Sequence, residues 1–252
     1  MRLIKISFIA CLLVSAMAAR AKATHLNKMT PDPKGFAVVE LFTSEGCSSC
    51  PPADALVAKI QKENKDKPVY ILAYHVDYWN RLGWKDVFSS ADFSKRQHEY
   101  ANYLHLQSVY TPQVIVNGKT EFVGSEEGTF RNTLKASLQK QPNAQLTVSG
   151  LKTDKNMASF NYTTTGADKN TVLLIAVLQK SAQTKVERGE NGGRTLSHVQ
   201  IVRELQPVAI KGNSGTANMA LPHGFNTHDW EIIGLLQNKS TGAVVGAARM
   251  AL

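Results

Sequence analysis

Two cysteines three positions apart, Cys47 and Cys50, stand where an apolar run ends and a helical pattern begins, within Val38-Val39-Glu40-Leu41-Phe42-Thr43-Ser44-Glu45-Gly46-Cys47. No other feature limits the chain so tightly. A helix start offers unpaired N–H groups and a partial positive charge, both of which stabilise a thiolate at Cys47. The thiolate is the nucleophile, and such motifs lower the free cysteine pKa from about 8.5 to roughly 3.5–7.5. Cys50, one turn on, is placed to resolve a mixed disulfide. A bare CxxC is equally compatible with a structural disulfide or half of a metal site; its position between strand and helix favours redox chemistry.

The N-terminus reads as a removable export signal. Arg2 and Lys5 precede an apolar run over 6–19, and Ala21-Lys22-Ala23 fits a small-x-small cleavage site. Residues 1–23 are therefore assigned to the signal, and the run is short for a membrane span of about 20 residues. Removing Arg2, Lys5, Arg20 and Lys22 lowers the net charge from +9 to +5. That modest excess, with no basic-aromatic stripe, argues against nucleic acid as a partner. Cleavage also removes Cys11, leaving only the CxxC pair among three cysteines. The expected location is periplasmic or secreted, where disulfides persist. A disulfide closing so short a loop adds little chain-entropy stabilisation, which favours a working pair over a staple.

Residues 36–42 read as a buried strand and 69–74 as a second. Leu56, Val57 and Ile60 fall at helical spacing, as do Phe93, Gln97, Tyr100, Ala101 and Leu104, the latter group after candidate caps Ser89, Ser90 and Asp92. Strand-like runs at 113–116 and 120–123 flank Asn117-Gly118, a strong hairpin signal. Phe130, Leu134 and Leu138 mark a last helix, opened by Ser125 and Glu126-Glu127.

The order strand, helix, strand, helix, hairpin, helix resembles the thioredoxin fold over residues 35–140. The resemblance implies that Pro112 is cis and faces the cysteine pair. It also implies that Thr111 presents its backbone to an extended substrate segment. The buried acid that accepts protons in thioredoxins would fall at Leu41; the nearest acid is Glu40, a proton relay only if a bulge turns it toward the cysteines. Glu45 is expected in solvent, where its charge would raise the thiolate pKa. Two further stretches, Glu40 to Asp54 and Tyr74-His75-Val76-Asp77-Tyr78-Trp79-Asn80-Arg81-Leu82-Gly83-Trp84-Lys85-Asp86, look like an uncharacterised bacterial family, domain of unknown function 1223. So does Arg188-Gly189-Glu190-Asn191-Gly192-Gly193-Arg194-Thr195-Leu196. That family implies an exported, thioredoxin-like protein and leaves the reaction open.

Tyr74, His75, Asp77, Tyr78 and Trp79 follow the second strand and are expected at the carboxyl edge of the sheet, where ligands bind. They either line a substrate groove or cover core for a neighbouring domain. Beyond Pro142 the chain turns rich in Thr, Val, Gly and Asn, with short strand-like runs. Residues 142–252 are expected to form a second, smaller, sandwich-like all-β domain. The loop from Glu187 to Arg194 is a docking surface or a long hairpin tip.

The function expected is an exported thiol–disulfide oxidoreductase, exchanging disulfides with protein thiols, small thiols or a membrane redox partner. It requires no metal and no cofactor beyond the Cys47–Cys50 disulfide. Two alternatives stand beside it: a copper-binding metallochaperone, with His75 or His98 as third ligand to the cysteines, and a redox-inert binding module.

Overall fold

The computed structural model describes residues 35–154 and 156–251. The expected export signal, residues 1–23, lies outside them. Along the chain come β1 (Ala37–Thr43), α1 (Pro51–Glu63), β2 (Val69–His75), a 3-10 turn (Asn80–Leu82), α2 (Ala91–Leu104), β3 (Gln113–Val116), β4 (Thr120–Val123) and α3 (Glu127–Gln139). There follow β5 (Gln145–Asp154), β6 (Met157–Thr165), β7 (Thr171–Lys185), β8 (Thr195–Val208), β9 (Ser214–Ala220), β10 (Trp230–Asn238) and β11 (Val244–Arg249).

Local chemistry accounts for the boundaries. Pro51 and Pro52 occupy the first turn of α1, where no helical N–H is needed. The Ser90 Oγ accepts from the Asp92 N–H and opens α2. Asn117 and Gly118 both take positive φ, 51° and 64°, the turn that suits a tight hairpin. A Cβ on Gly118 would sit 2.0 Å from the Gly242 carbonyl oxygen, so this position also needs glycine for close approach.

β1 pairs in parallel with β2, from Ala37 opposite Val69 to Thr43 opposite His75. Side chains sort by parity. Val39 and Leu41 pack with Ala53, Val57 and Ile60 of α1 and Phe130 of α3. Val38 and Phe42 pack on the opposite face with Phe93 and Tyr100 of α2.

The expected thioredoxin-like α/β domain followed by a separate smaller all-β domain is overturned at β8. That strand runs parallel beside β2, with Ala73 opposite Ile201, and fuses both halves into one eight-stranded sheet. Its order is β11-β10-β7-β8-β2-β1-β3-β4; only β5, β6 and β9 form a second sheet. The architecture is thus a large mixed sheet with a three-stranded sheet beside it, and three α-helices among the described residues. The physical reason is visible in β7, which is buried on both faces. Leu174, Ala176 and Leu178 join Val38, Phe42, Leu72 and Tyr74 in one core. Leu173, Ile175 and Val177 face Phe160, Tyr162 and Met219 of the small sheet. Each large apolar side chain among them contributes about 1.5–3 kcal/mol on burial, so the halves share the core on the α2 face, beside one core built almost wholly from the first half and another from the second.

A buried polar group crosses the same boundary. The Arg96 Nε donates to the Glu40 carboxylate at 2.6 Å and its Nη1 to Gln237 of β10 at 3.2 Å. The Tyr100 hydroxyl donates to Glu40 as well, and the Gln237 amide donates to Tyr100 at 2.9 Å.

Candidate functional site

The carboxyl ends of β1 and β2 lie side by side, and the cysteine loop leaves from the first. Cys47 and Cys50 form a disulfide with Cα atoms 5.4 Å apart. Cys50 caps α1, its carbonyl accepting from the Ala53 and Asp54 N–H groups. Thr111-Pro112 is a cis peptide, and the Thr111 carbonyl oxygen lies 3.8 Å from the Cys47 sulfur. Pro112 is held by close packing: a Cβ on Gly124 would lie 3.0 Å from the Ala53 Cβ and 3.3 Å from the Pro112 Cβ. Ser48 and Ser49 are exposed, yet both cysteines have 0% exposure.

The cover comes from both halves of the chain. The Trp79 indole N–H donates to the Thr111 hydroxyl at 2.8 Å, closing one side. The loop between β7 and β8 closes the other. There, the Asn191 amide donates to the Glu45 carbonyl at 3.0 Å and the Cys47 carbonyl at 2.9 Å. Glu190 accepts from the Ser48 N–H at 2.9 Å, and hydrogen bonding from the Ser48 side chain and then its N–H holds the carboxyl below the ordinary range. The segment from Glu187 to Arg194 is therefore a clasp on the cysteine loop.

Beneath the loop lies a group that the sequence alone did not assemble. His75, at the end of β2, meets Asp86 through Nδ1 at 2.7 Å. Asp86 also accepts from the Glu45 N–H at 2.9 Å and the Phe88 N–H at 2.9 Å. Its pKa falls: burial pushes it up, but His75 and the two backbone donors outweigh that. The His75 pKa rises, because Asp86 outweighs the downward pull of burial. His198 of β8 stacks edge-on against His75 with centroids 4.8 Å apart, and its Nε2 is 3.4 Å from a Glu45 oxygen. Glu45, expected in solvent, is fully buried and accepts from the Trp84 indole N–H at 2.7 Å. Asp54 on α1 accepts from the Thr43 hydroxyl at 3.2 Å; desolvation raises its pKa despite the nearby His198 and His75.

The residues expected to line a groove separate. Only Trp79 reaches the cysteine loop from outside, with its Cβ against Gly46. Tyr74 is a core residue stacked on Phe42, 5.3 Å between centroids, and offers no groove surface. His75 points beneath the loop. Asp77 bonds Ser94 of α2 at 2.5 Å, and Tyr78 donates to Gln97 at 3.2 Å. Glu40 keeps the parity of its strand and faces Arg96 and Tyr100 of α2, the side opposite α1. No bulge turns it toward the cysteines, which removes it as a relay. His98 is exposed and bonded to the Ser94 carbonyl, and among the described residues no three His, Cys, Asp or Glu side chains converge as metal ligands. No helix among them is long and apolar enough to cross a membrane.

A family model described as a protein of unknown function, DUF1223, matches residues 38–237. The crystal structure of a protein from Agrobacterium tumefaciens is 30% identical, with TM-score 0.67, covering 87% of this chain and 94% of its own. HBP35 of Porphyromonas gingivalis shares the fold at 16% identity and TM-score 0.59, covering 86% of this chain and 75% of its own. No curated protein matches.

Proposed function

We propose that this chain, which belongs to the DUF1223 family of proteins of unknown function, is a thiol–disulfide oxidoreductase acting in an exported location. The observation that carries the proposal is the setting of the disulfide: Cys50 caps α1 while the Thr111 carbonyl lies against the Cys47 sulfur. A helix start favours the thiolate, and a backbone carbonyl there can accept from a bound extended segment. Cys47 forms the bond to the substrate sulfur, and Cys50 displaces it by exchange. The apolar N-terminal run and CxxC support delivery to an oxidising compartment such as the periplasm. Substrates are protein or small thiols.

One observation favours a second role. Both cysteines are fully covered, which suits a closed, redox-inert disulfide that pins the loop for Trp79 and the clasp to bind against. The two roles separate in an alkylation experiment on the reduced, folded protein. The redox role predicts one thiol, Cys47, reacting with a pKa well below about 8.5. Equal, ordinary reactivity of both thiols supports the inert role and overturns the first.

A further inference from the structure

Glu45 ties the cysteine loop to the rest of the protein. Its N–H donates to Asp86 at 2.9 Å, and its carbonyl accepts from the Asn191 amide of the clasp at 3.0 Å. One carboxylate oxygen accepts from the Trp84 indole N–H at 2.7 Å. The other has no hydrogen-bond partner among the described residues and lies 3.4 Å from the His198 Nε2. Both His198 nitrogens are unpartnered in the same sense. Glu45 is 0% exposed and His198 3%, so neither side chain turns to water instead.

A carboxylate this deeply buried is stable only with a proton on it or a cation beside it. The two buried glutamates of this protein meet that need differently. Glu40 has the Arg96 guanidinium at 2.6 Å, a cation at every ordinary pH. Glu45 has an imidazole, whose charge comes and goes near neutrality. His75 of β2 does not replace it, because its Nδ1 is bound to Asp86 at 2.7 Å. The other charged groups around the pair are Asp54 from α1, Arg203 from β8, and Glu190 and Arg194 from the clasp. Both arginines are engaged elsewhere, Arg203 with Gln179 at 2.9 Å and Arg194 with the Asn191 oxygen at 2.7 Å. The charge that compensates Glu45 is therefore held with His198, and it lasts only while the pair keeps a proton.

We propose that the Glu45–His198 pair is a pH-operated latch on the cysteine loop, shut while the pair holds its proton and released when the proton leaves. The inference deepens the thiol-exchange reading above, on which the use of the latch rests: it regulates access to that site. Loss of the proton leaves a dry anion close to the Asp86 carboxylate. The loop relieves it by carrying Glu45 toward water, which breaks the carbonyl bond to Asn191 and uncovers Cys47 just beyond. The shut state binds the proton more tightly than the open state, so rising pH favours opening and falling pH favours closure.

The test uses the full-length protein with its disulfide intact. Hydrogen exchange of the Glu45 and Cys47 amides, corrected for intrinsic rates, gives the opening constant. In the wild type it should rise about tenfold or more between about pH 6 and pH 8.5, the mark of one proton kept by the shut state and lost by the open one. Glu45→Gln keeps an acceptor for Trp84 and removes the charge, so its opening constant should stay low and flat. A second measurement needs no variant: the Trp84 indole N–H and His198 ring resonances should titrate together. A wild-type opening constant indifferent to pH, an equal rise in Glu45→Gln, or a Trp84 resonance that ignores the His198 titration overturns the latch. Reduction by dithiothreitol, divided by that of glutathione disulfide in the same buffer, should climb in step with opening. A disulfide that no thiol reduces in the folded state, with opening still following pH, overturns the oxidoreductase and leaves the latch standing.

Discussion

Replacing Asn191 by alanine should loosen the cysteine loop more than any other single change in the β7–β8 segment. The Asn191 side chain is fully buried, and its amide serves the Glu45 and Cys47 carbonyls at once. Its own oxygen accepts from Arg194 at 2.7 Å. Truncation leaves two carbonyls without that donor, at about 1–3 kcal/mol for each acceptor left dry. Partial access of water to the opened loop reduces the sum to roughly 2–4 kcal/mol. In a protein of this size 1 kcal/mol moves the melting temperature by about 2–4 °C, so a fall of roughly 5–12 °C is expected. Circular dichroism melts with the disulfide intact measure it. Glu190→Ala is the control, since its carboxylate is exposed and its loss should leave the midpoint within experimental scatter. The loosened loop should also let a small thiol reduce the disulfide faster. An Asn191→Ala protein that melts like wild type and is reduced at the same rate would refute the clasp.

Arg96→Met strands the buried Glu40 without its cation and should cost about 3–5 kcal/mol in urea unfolding; a loss below about 1 kcal/mol would show that Glu40 is satisfied elsewhere. Cys50→Ser should accumulate mixed disulfides in extracts while Cys47→Ser does not, because in the proposed exchange only Cys47 attacks the substrate; adducts on Cys47→Ser alone would reverse the roles. The His75–Asp86 pair gives stability a plateau in pH. The lowered Asp86 pKa contributes above its ordinary value of 3.8 and is lost as pH falls through the folded value. The raised His75 pKa contributes below its ordinary value of 6.5 and is lost as pH climbs through the folded value. Unfolding free energy should therefore fall off on both sides of a window from about pH 4 to 6.5, and His75→Gln should flatten the alkaline side. An unchanged alkaline limb in that variant would contradict the linkage.

The elements before residue 140 were legible because their signals are local. Apolar parity, the Ser90 cap, the first-turn prolines and Asn117-Gly118 each act within a few residues. What joins the halves was not legible, because the parallel meeting of Ala73 and Ile201 spans more than a hundred residues and leaves no local mark. One signal could have warned of it. Residues Val172 to Leu178 and Ile232 to Leu236 are nearly continuous apolar runs, the pattern of strands buried on both faces rather than of a small sandwich with a wet side. Strand parity also decided Tyr74 against His75, sending the first into the α2 core and the second under the cysteine loop. Glu45 and His198 had no such marker. A glutamate in a Ser-Glu-Gly turn reads as solvated until β8 and the clasp close over it. β8 itself is irregular at Gln200, whose φ is 52°, and where the β7–β8 register shifts, neither of which its apolar pattern marks.

The central claim is that the Cys47–Cys50 disulfide opens and closes while the protein stays folded. Equilibrating the native protein across a series of glutathione redox buffers, then alkylating and weighing it, tests this directly. The account predicts a single reversible two-electron transition, reached from both the oxidised and the reduced side, with near-ultraviolet circular dichroism retained throughout. A pair that stays oxidised in every buffer until the protein unfolds would contradict it.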